Sequence, residues 1–408
     1  MGSFKAVSAL LCLLAAVAAQ KTATATPKSS GSKSSSGSTT AQPNHKVSTQ
    51  AIANLEKAMH KWADGKNTNI VSLMSQNGKI LHWDAYSKGK NKATKDSIYN
   101  IMSMTKPISG VCMMTFYEEG KFKLDDPVAK HIPAFADLKV KGTTPQKHQM
   151  TMAELMSHSA GFGSNIAATG ATLKAGVEAL AKGKLSFQPG EGWTYGPGVE
   201  IQGYLMEQWA GKDFADILSE RILKPLNMSD TGFWMDGEKR NRIVPSASKA
   251  PSSKPKRIIP SYGLHASAED YWKFGQMVVN GGEFRGKRIL KPETVDLMRT
   301  NILDMDKGIY VNFMGGGKGI GFGLNFAVVV DPKPTNNYMP KGSFYWVRIS
   351  PQYDNKRFEL IAHQGGAYGT IFWLDIKNNI VFVGLVTQMG SLSGDGNLRQ
   401  AAAKAIYS

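Results

Sequence analysis

Residues 101–117 read IMSMTKPISGVCMMTFY, and this stretch decides how the rest of the chain is read. Ser103 and Lys106 lie three apart, where a polar, turn-rich region gives way to an apolar run with the look of a helix. The spacing alone says little. Ser30/Lys33, Ser87/Lys90, Ser246/Lys249 and Ser253/Lys256 repeat it, each within a stretch rich in Gly, Pro, Ser or Lys that reads as loop. Ser103 differs because the helix-like run begins directly behind it. Residues i and i+3 share a helix face, so Lys106 is expected to point back at Ser103. The positive end of the helix dipole favours negative charge developing there. A free lysine titrates near ~10.4, so Lys106 must be desolvated before it can accept a serine proton. A plain helix cap beside a surface charge is the competing account of the pair.

The surroundings bound the class of protein. The chain has 408 residues and a formal net charge of +17, with ample apolar material for a core. Lys5 followed by AVSALLCLLAAVAA is the pattern of a signal peptide over residues 1–19, too short and Ala-rich for a membrane span. Residues 20–49 are dominated by Ser, Thr, Lys and Gly and read as a disordered linker. The folded domain is then 50–408, and the protein is expected to be secreted, with no integral membrane span. The basic residues are spread through loops and not interleaved with aromatics, so no nucleic-acid partner is expected. Cys12 leaves with the signal, and Cys112 alone is expected to be a buried small hydrophobe.

Local patterns give the architecture. AIANLEKAMHKWA has apolar residues at helical spacing, and two strand-like runs flank Asn77-Gly78, a pair suited to a type I′ hairpin turn. The middle of the chain is mostly helical pattern broken by Gly and Pro. FELIAHQGGAYGTIFWLDIKNNIVFVGLVTQ carries three apolar runs that predict consecutive antiparallel strands, and LRQAAAKAIYS closes the chain as a helix. The expectation is an α/β (α+β) fold. One antiparallel sheet is shared by the two ends of the domain and flanked by helices, with a helical lobe inserted over roughly 115–255.

Longer segments are more specific. SMTKPISGVCMMTFYEEGKFKLDDPVAKHIPAF resembles the nucleophile region of the serine β-lactamase and penicillin-binding-protein superfamily, in particular its class C-like branch of esterases, transesterases and D-amino-acid peptidases. MTMAELMSHSAGF, FQPGEGWTYGPGVEIQGYLMEQWAGKDF, ILKPLNMSDTGFW, GLHASAEDYWKFGQMVVNGG, GFGLNF and HQGGAYGTIFWLD match that branch in order and rough spacing. The resemblance runs from about residue 50 to the end and implies a β-lactamase/transpeptidase-like fold with three motifs around one cleft. Ser103 and Lys106 match the first. Tyr195 matches the tyrosine of the second; its phenol would lie near the serine oxygen and relay the proton to the leaving group, with Lys106 keeping its pKa low. Whether lysine or tyrosine is the base stays open. His363, Gln364 and Gly365 fall at the third motif, with a shifted register placing Gln364 first. The implied oxyanion donors are the backbone N–H groups of Ser103 and of Gly366, or Ala367 in that register.

Two departures bear on substrate. Pro197 stands where the second motif often has Asn, and His363 where the third has Lys, both typical of esterase-like members. The resemblance therefore implies a serine hydrolase acting on a small-molecule ester or acyl substrate through an acyl-enzyme, with no organic cofactor or metal. A β-lactamase or D,D-peptidase using the same residues is the alternative, and a catalytically silent binding protein of the same fold is another. Substrate identity and oligomeric state are left open. MGGGKGIGFG at 314–323 lacks the ending of a phosphate loop, and no histidine pair has zinc spacing. Asn227-Met228-Ser229 is a glycosylation sequon. SHSAG at 157–161 is taken as structural, and Asp125-Asp126 before Pro127 as a turn.

Overall fold

A computed structural model describes residues 45–88, 92–163, 170–246, 250–312, 316–335, 337–346, 369–387 and 398–408. Helix α1 (Thr49–Lys66) starts at Ser48, whose hydroxyl accepts from the Ala51 N–H, and ends at Asn67 in the left-handed conformation. Its apolar stripe of Leu55, Met59, Trp62 and Ala63 is buried, as the periodicity predicts. Strands β1 (Asn69–Gln76) and β2 (Lys79–Ser87) follow as a hairpin. Its turn residues Asn77 and Gly78 have φ of 53° and 74°, the two positive values that a type I′ turn requires.

Strands from both ends of the domain meet in one antiparallel sheet. Among the described residues its order is β2-β1-β11-β10-β9-β8-β7, with β7 (Ile320–Phe322), β8 (Ala327–Val329), β9 (Phe344–Trp346), β10 (Ile371–Asp375) and β11 (Ile380–Val386). Leu73 pairs with Val383 and Trp373 with Phe382. Every residue of β1, β10 and β11 is buried, the mark of strands covered on both faces. Alternation along β10 shows the two covers. Phe372 meets Tyr271 of α8 (Ala268–Val279) with ring centroids 4.9 Å apart. Trp373 meets Tyr407 of the closing helix α10 (Leu398–Tyr407) at 5.7 Å. A Cβ on Gly275 of α8 would lie 2.8 Å from Val381 Cγ1 and 3.0 Å from Leu374 Cδ2, so that helix lies close on the sheet. The run FELIA, predicted as a strand, lies outside the described residues.

Between β3 (Ile98–Asn100) and its antiparallel partner β4 (His265–Ser267) the chain forms the helical part. It holds α2 (Thr105–Glu118), α3 (Val128–His131), α4 (Met152–Met156), α5 (Leu173–Ala181), α6 (Gly198–Ala210) and α7 (Phe214–Leu218). Helix α2 is the central one: every residue from Thr105 to Met114 is buried. Cys112 is buried and free, and Asp126 forms a turn in which its carboxylate accepts from the Lys123 N–H and the Lys130 ammonium. No described helix is long and apolar enough to cross a membrane.

Candidate active site

Ser103 sits in a single 3-10 turn (Met102–Met104) that runs directly into α2. The turn is held from several sides. The Met102 N–H donates to Asn100 Oδ1 at 3.0 Å, the Tyr271 hydroxyl donates to the Met104 carbonyl at 2.9 Å, and the Thr370 hydroxyl donates to the Ile101 carbonyl at 3.2 Å. Met102 has φ of 46°, a conformation that costs an unbranched non-glycine residue about 1 kcal/mol or more and persists only where neighbours enforce it. Strain thus sits immediately before the serine. Pro107 falls in the first turn of α2, where its missing N–H interrupts no helical bond.

Three predicted site residues come together here. Ser103 Oγ and the Tyr195 hydroxyl are 2.8 Å apart. Lys106 Nζ donates to Ser103 Oγ at 3.4 Å and to the Ser261 carbonyl at 2.8 Å, and it lies 4.6 Å from the centroid of the Tyr195 ring and 5.9 Å from that of Trp346. The ammonium is buried, with aromatic faces on two sides. Burial lowers the Lys106 pKa to about 7, against an opposing pull from the Glu200 carboxylate. A neutral amine is therefore present at ordinary pH beside a hydroxyl that can lose a proton.

Tyr195 departs from one expectation. The resemblance implied a phenol whose pKa Lys106 keeps low, yet burial raises it, with the bond to Ser103 opposing only in part. Burial thus favours the protonated phenol in the resting site. Trp193, Phe322 and Trp346 surround the pair of rings formed by Tyr195 and His158. Pro197, at the N-terminus of α6, offers no side-chain amide to the cleft.

The sequence reading missed three contributors. His158, set aside as structural, stacks on Tyr195 with ring centroids 5.0 Å apart and an interplanar angle of 19°, and its Nδ1 accepts the Gly196 N–H at 3.3 Å. Burial and the nearby Lys106 lower its pKa to about 3, so it is a neutral prop for the tyrosine. Ser261 supplies the carbonyl for Lys106, and Glu200 lies behind Ser261. The signal that could have found Glu200 is an acid five residues past Tyr195 in the first turn of a helix. His363, Gly365 and Gly366 lie outside the described residues, as do Gln364 and Ala367.

The family profile described as Beta-lactamase matches residues 56–406. Protein Rv1367c of Mycobacterium tuberculosis is 27% identical over 339 residues, covering 74% of this chain and 80% of its own. Esterase EstB of Burkholderia gladioli is 23% identical over 389 residues, covering 83% and 90%. Among solved structures, EstCE1, a hydrolase with promiscuous acyltransferase activity, superposes with a TM-score of 0.70 at 19% identity, covering 88% of this chain and 99% of that one. At that identity the likeness concerns the fold.

Proposed function

This chain belongs to the Beta-lactamase family, and from that membership and the site geometry we propose that it is a serine hydrolase that transfers acyl groups from carboxylic esters through a covalent Ser103 acyl-enzyme. The observation that carries the reading is the meeting of three heteroatoms: Ser103 Oγ, 2.8 Å from the Tyr195 hydroxyl and 3.4 Å from the Lys106 amine, with that amine buried. Ser103 Oγ attacks the ester carbonyl carbon while its proton passes to Lys106. The tetrahedral adduct collapses, the carbon–oxygen bond to the leaving alcohol breaks, and Tyr195 hands that oxygen a proton which Lys106 replaces. Water or another alcohol then attacks the acyl-enzyme by the same steps in reverse. The Ser103 N–H and a backbone N–H at Gly366 are proposed to hold the oxyanion, and His363 and Gly365 to line the same edge.

Ester substrates are favoured over β-lactams because Pro197 cannot hold a substrate amide with a side chain, and because the similar proteins EstB and EstCE1 are described as an esterase and a hydrolase with acyltransferase activity. A p-nitrophenyl butyrate assay run beside a chromogenic cephalosporin tests this. Turnover of the ester with little of the lactam is expected, and Ser103→Ala should abolish it while remaining folded. Strong preference for the lactam would move the assignment to a β-lactamase or D,D-peptidase; no turnover of either, with no adduct from a serine-directed phosphonate, would make the protein a binder. We also propose that residues 1–19 are removed on secretion; N-terminal sequencing of the mature protein is expected to begin near residue 20, and an intact Met1 in the culture medium would refute it.

A further inference from the structure

Glu200 is the unexplained residue of this site. It is the acid in the first turn of α6, five residues after Tyr195, and is 9% exposed. An acid at that helical position ordinarily caps the helix by reaching back to the N-cap N–H. Here the N-cap is Pro197, which has no N–H, so that role is closed. The carboxylate turns inward instead: the Ser261 hydroxyl donates to Glu200 Oε1 in a short bond. Ser261 is itself 2% exposed, and its carbonyl accepts from Lys106 Nζ. The segment carrying Ser261 lies along α2, for the Ser109 hydroxyl donates to the Pro260 carbonyl at 2.7 Å and the Leu264 N–H to Thr105 Oγ1 at 3.2 Å.

We propose that Glu200 is a positioning residue for the acyl-transfer reaction: through Ser261 it fixes the carbonyl that holds the Lys106 amine against Ser103. The inference rests on the function proposed above and deepens it. No ion pair joins Glu200 to Lys106 among the described residues, so the carboxylate acts on the amine through Ser261 and through space. The groups facing Lys106 are Ser103 on its own turn, Tyr195 and His158 from the helical part, Trp346 from β9, the Ser261 carbonyl and, behind it, Glu200. Tyr262, next to Ser261, also feels the carboxylate. His158 is held neutral by burial, which leaves Glu200 as the formal negative charge among these groups. It favours the ammonium and so delays the loss of the Lys106 proton as pH rises.

The test uses Glu200→Gln, which keeps a bond to Ser261 and removes the charge, beside Glu200→Ala and Ser261→Ala, which break the link. In Glu200→Gln the acid limb of kcat/KM for a nitrophenyl ester is expected to move to lower pH. In the other two, kcat is expected to fall about 10–100-fold with KM little changed, as for a catalytic group displaced by a fraction of an ångström to one ångström. The Lys106 amine is followed separately by NMR of ¹⁵N-lysine-labelled protein, its resonance assigned by its loss in Lys106→Met. Its titration is expected to move to lower pH in Glu200→Gln. An unchanged Lys106 titration with an unchanged pH profile, or a Glu200→Ala enzyme with parental kcat, overturns the proposal. Should Glu200→Ala fail to fold, Ser261→Ala and Glu200→Gln carry the same decision. A parent enzyme that forms no acyl adduct would overturn the esterase reading alone, because the lysine titration still reports on Glu200.

Discussion

Replacing Lys106 with Met should make the protein more stable and inactive. The amine is buried, and its pKa falls from 10.5 unfolded to about 7 folded. At about 1.4 kcal/mol per pH unit, that fall corresponds to about 5 kcal/mol of folding free energy lost when the site must hold a charge. The loss is complete below pH 7, where lysine is charged in both states. It fades between pH 7 and 10.5, as the folded amine is already neutral while the unfolded one still holds its proton, and it is gone above 10.5. Methionine removes the penalty and fills the slot between the Tyr195 and Trp346 rings. It leaves the Ser261 carbonyl without its donor at a cost of about 1–3 kcal/mol. A net gain of about 2–4 kcal/mol is therefore expected near pH 7, seen as a rise of several degrees in the unfolding midpoint. Thermal unfolding of parent and variant at pH 6.5, 8 and 9.5 checks it, with the gap narrowing as pH rises. A variant less stable than the parent, with a gap insensitive to pH, would mean that no desolvated amine is held ready in this site.

Other outcomes follow from the same geometry. The kcat/KM of the parent for an activated ester should rise with pH through about 7, where Lys106 loses its proton; a profile flat from pH 5 to 9 would exclude that amine as the base. Tyr195→Phe keeps the ring stack on His158 but removes the hydroxyl 2.8 Å from Ser103 Oγ, and should lower kcat by about 10²–10⁴ with little change in unfolding midpoint. Gly110 on α2 has no room for a side chain, since an added Cβ would lie 2.6 Å from Asn325 Cβ. Gly110→Val should cost about 1–3 kcal/mol in chemical denaturation by pushing apart α2 and the Asn325–Gln202 amide pair.

Much of this was legible in the sequence. The Asn77-Gly78 turn, the amphipathic α1 and the apolar C-terminal strands are local patterns, and local patterns determine hairpins and helix faces. That the two ends share a sheet followed from strands at both ends with helices between. Ser103 and Lys106 were legible because one helical turn links them, and Tyr195 because its surroundings match a known motif. What surrounds them was not. Lys106 meets the Ser261 carbonyl across 155 residues, and Ser261 meets Glu200 across 61. Such contacts are made by the packing of α6 and the 260–264 segment on α2, and no periodicity encodes them. The left-handed Met102 carries no sequence signal either, because its strain is imposed by Asn100 and the flanking turn. The protonation of Tyr195 went the other way from expectation because burial, a property of the whole fold, outweighs its neighbours.

Acyl transfer by this site requires the Ser103 oxygen to become bonded to the acyl group of a substrate. Acid-quenching the enzyme within milliseconds of mixing with excess p-nitrophenyl ester, then weighing the intact protein and its peptides, reveals whether that bond forms. A mass increase equal to one acyl group is expected, confined to the peptide containing Ser103 and lost in Ser103→Ala. Ester turnover with no added mass on that peptide, or with the acyl group on another residue, would contradict it.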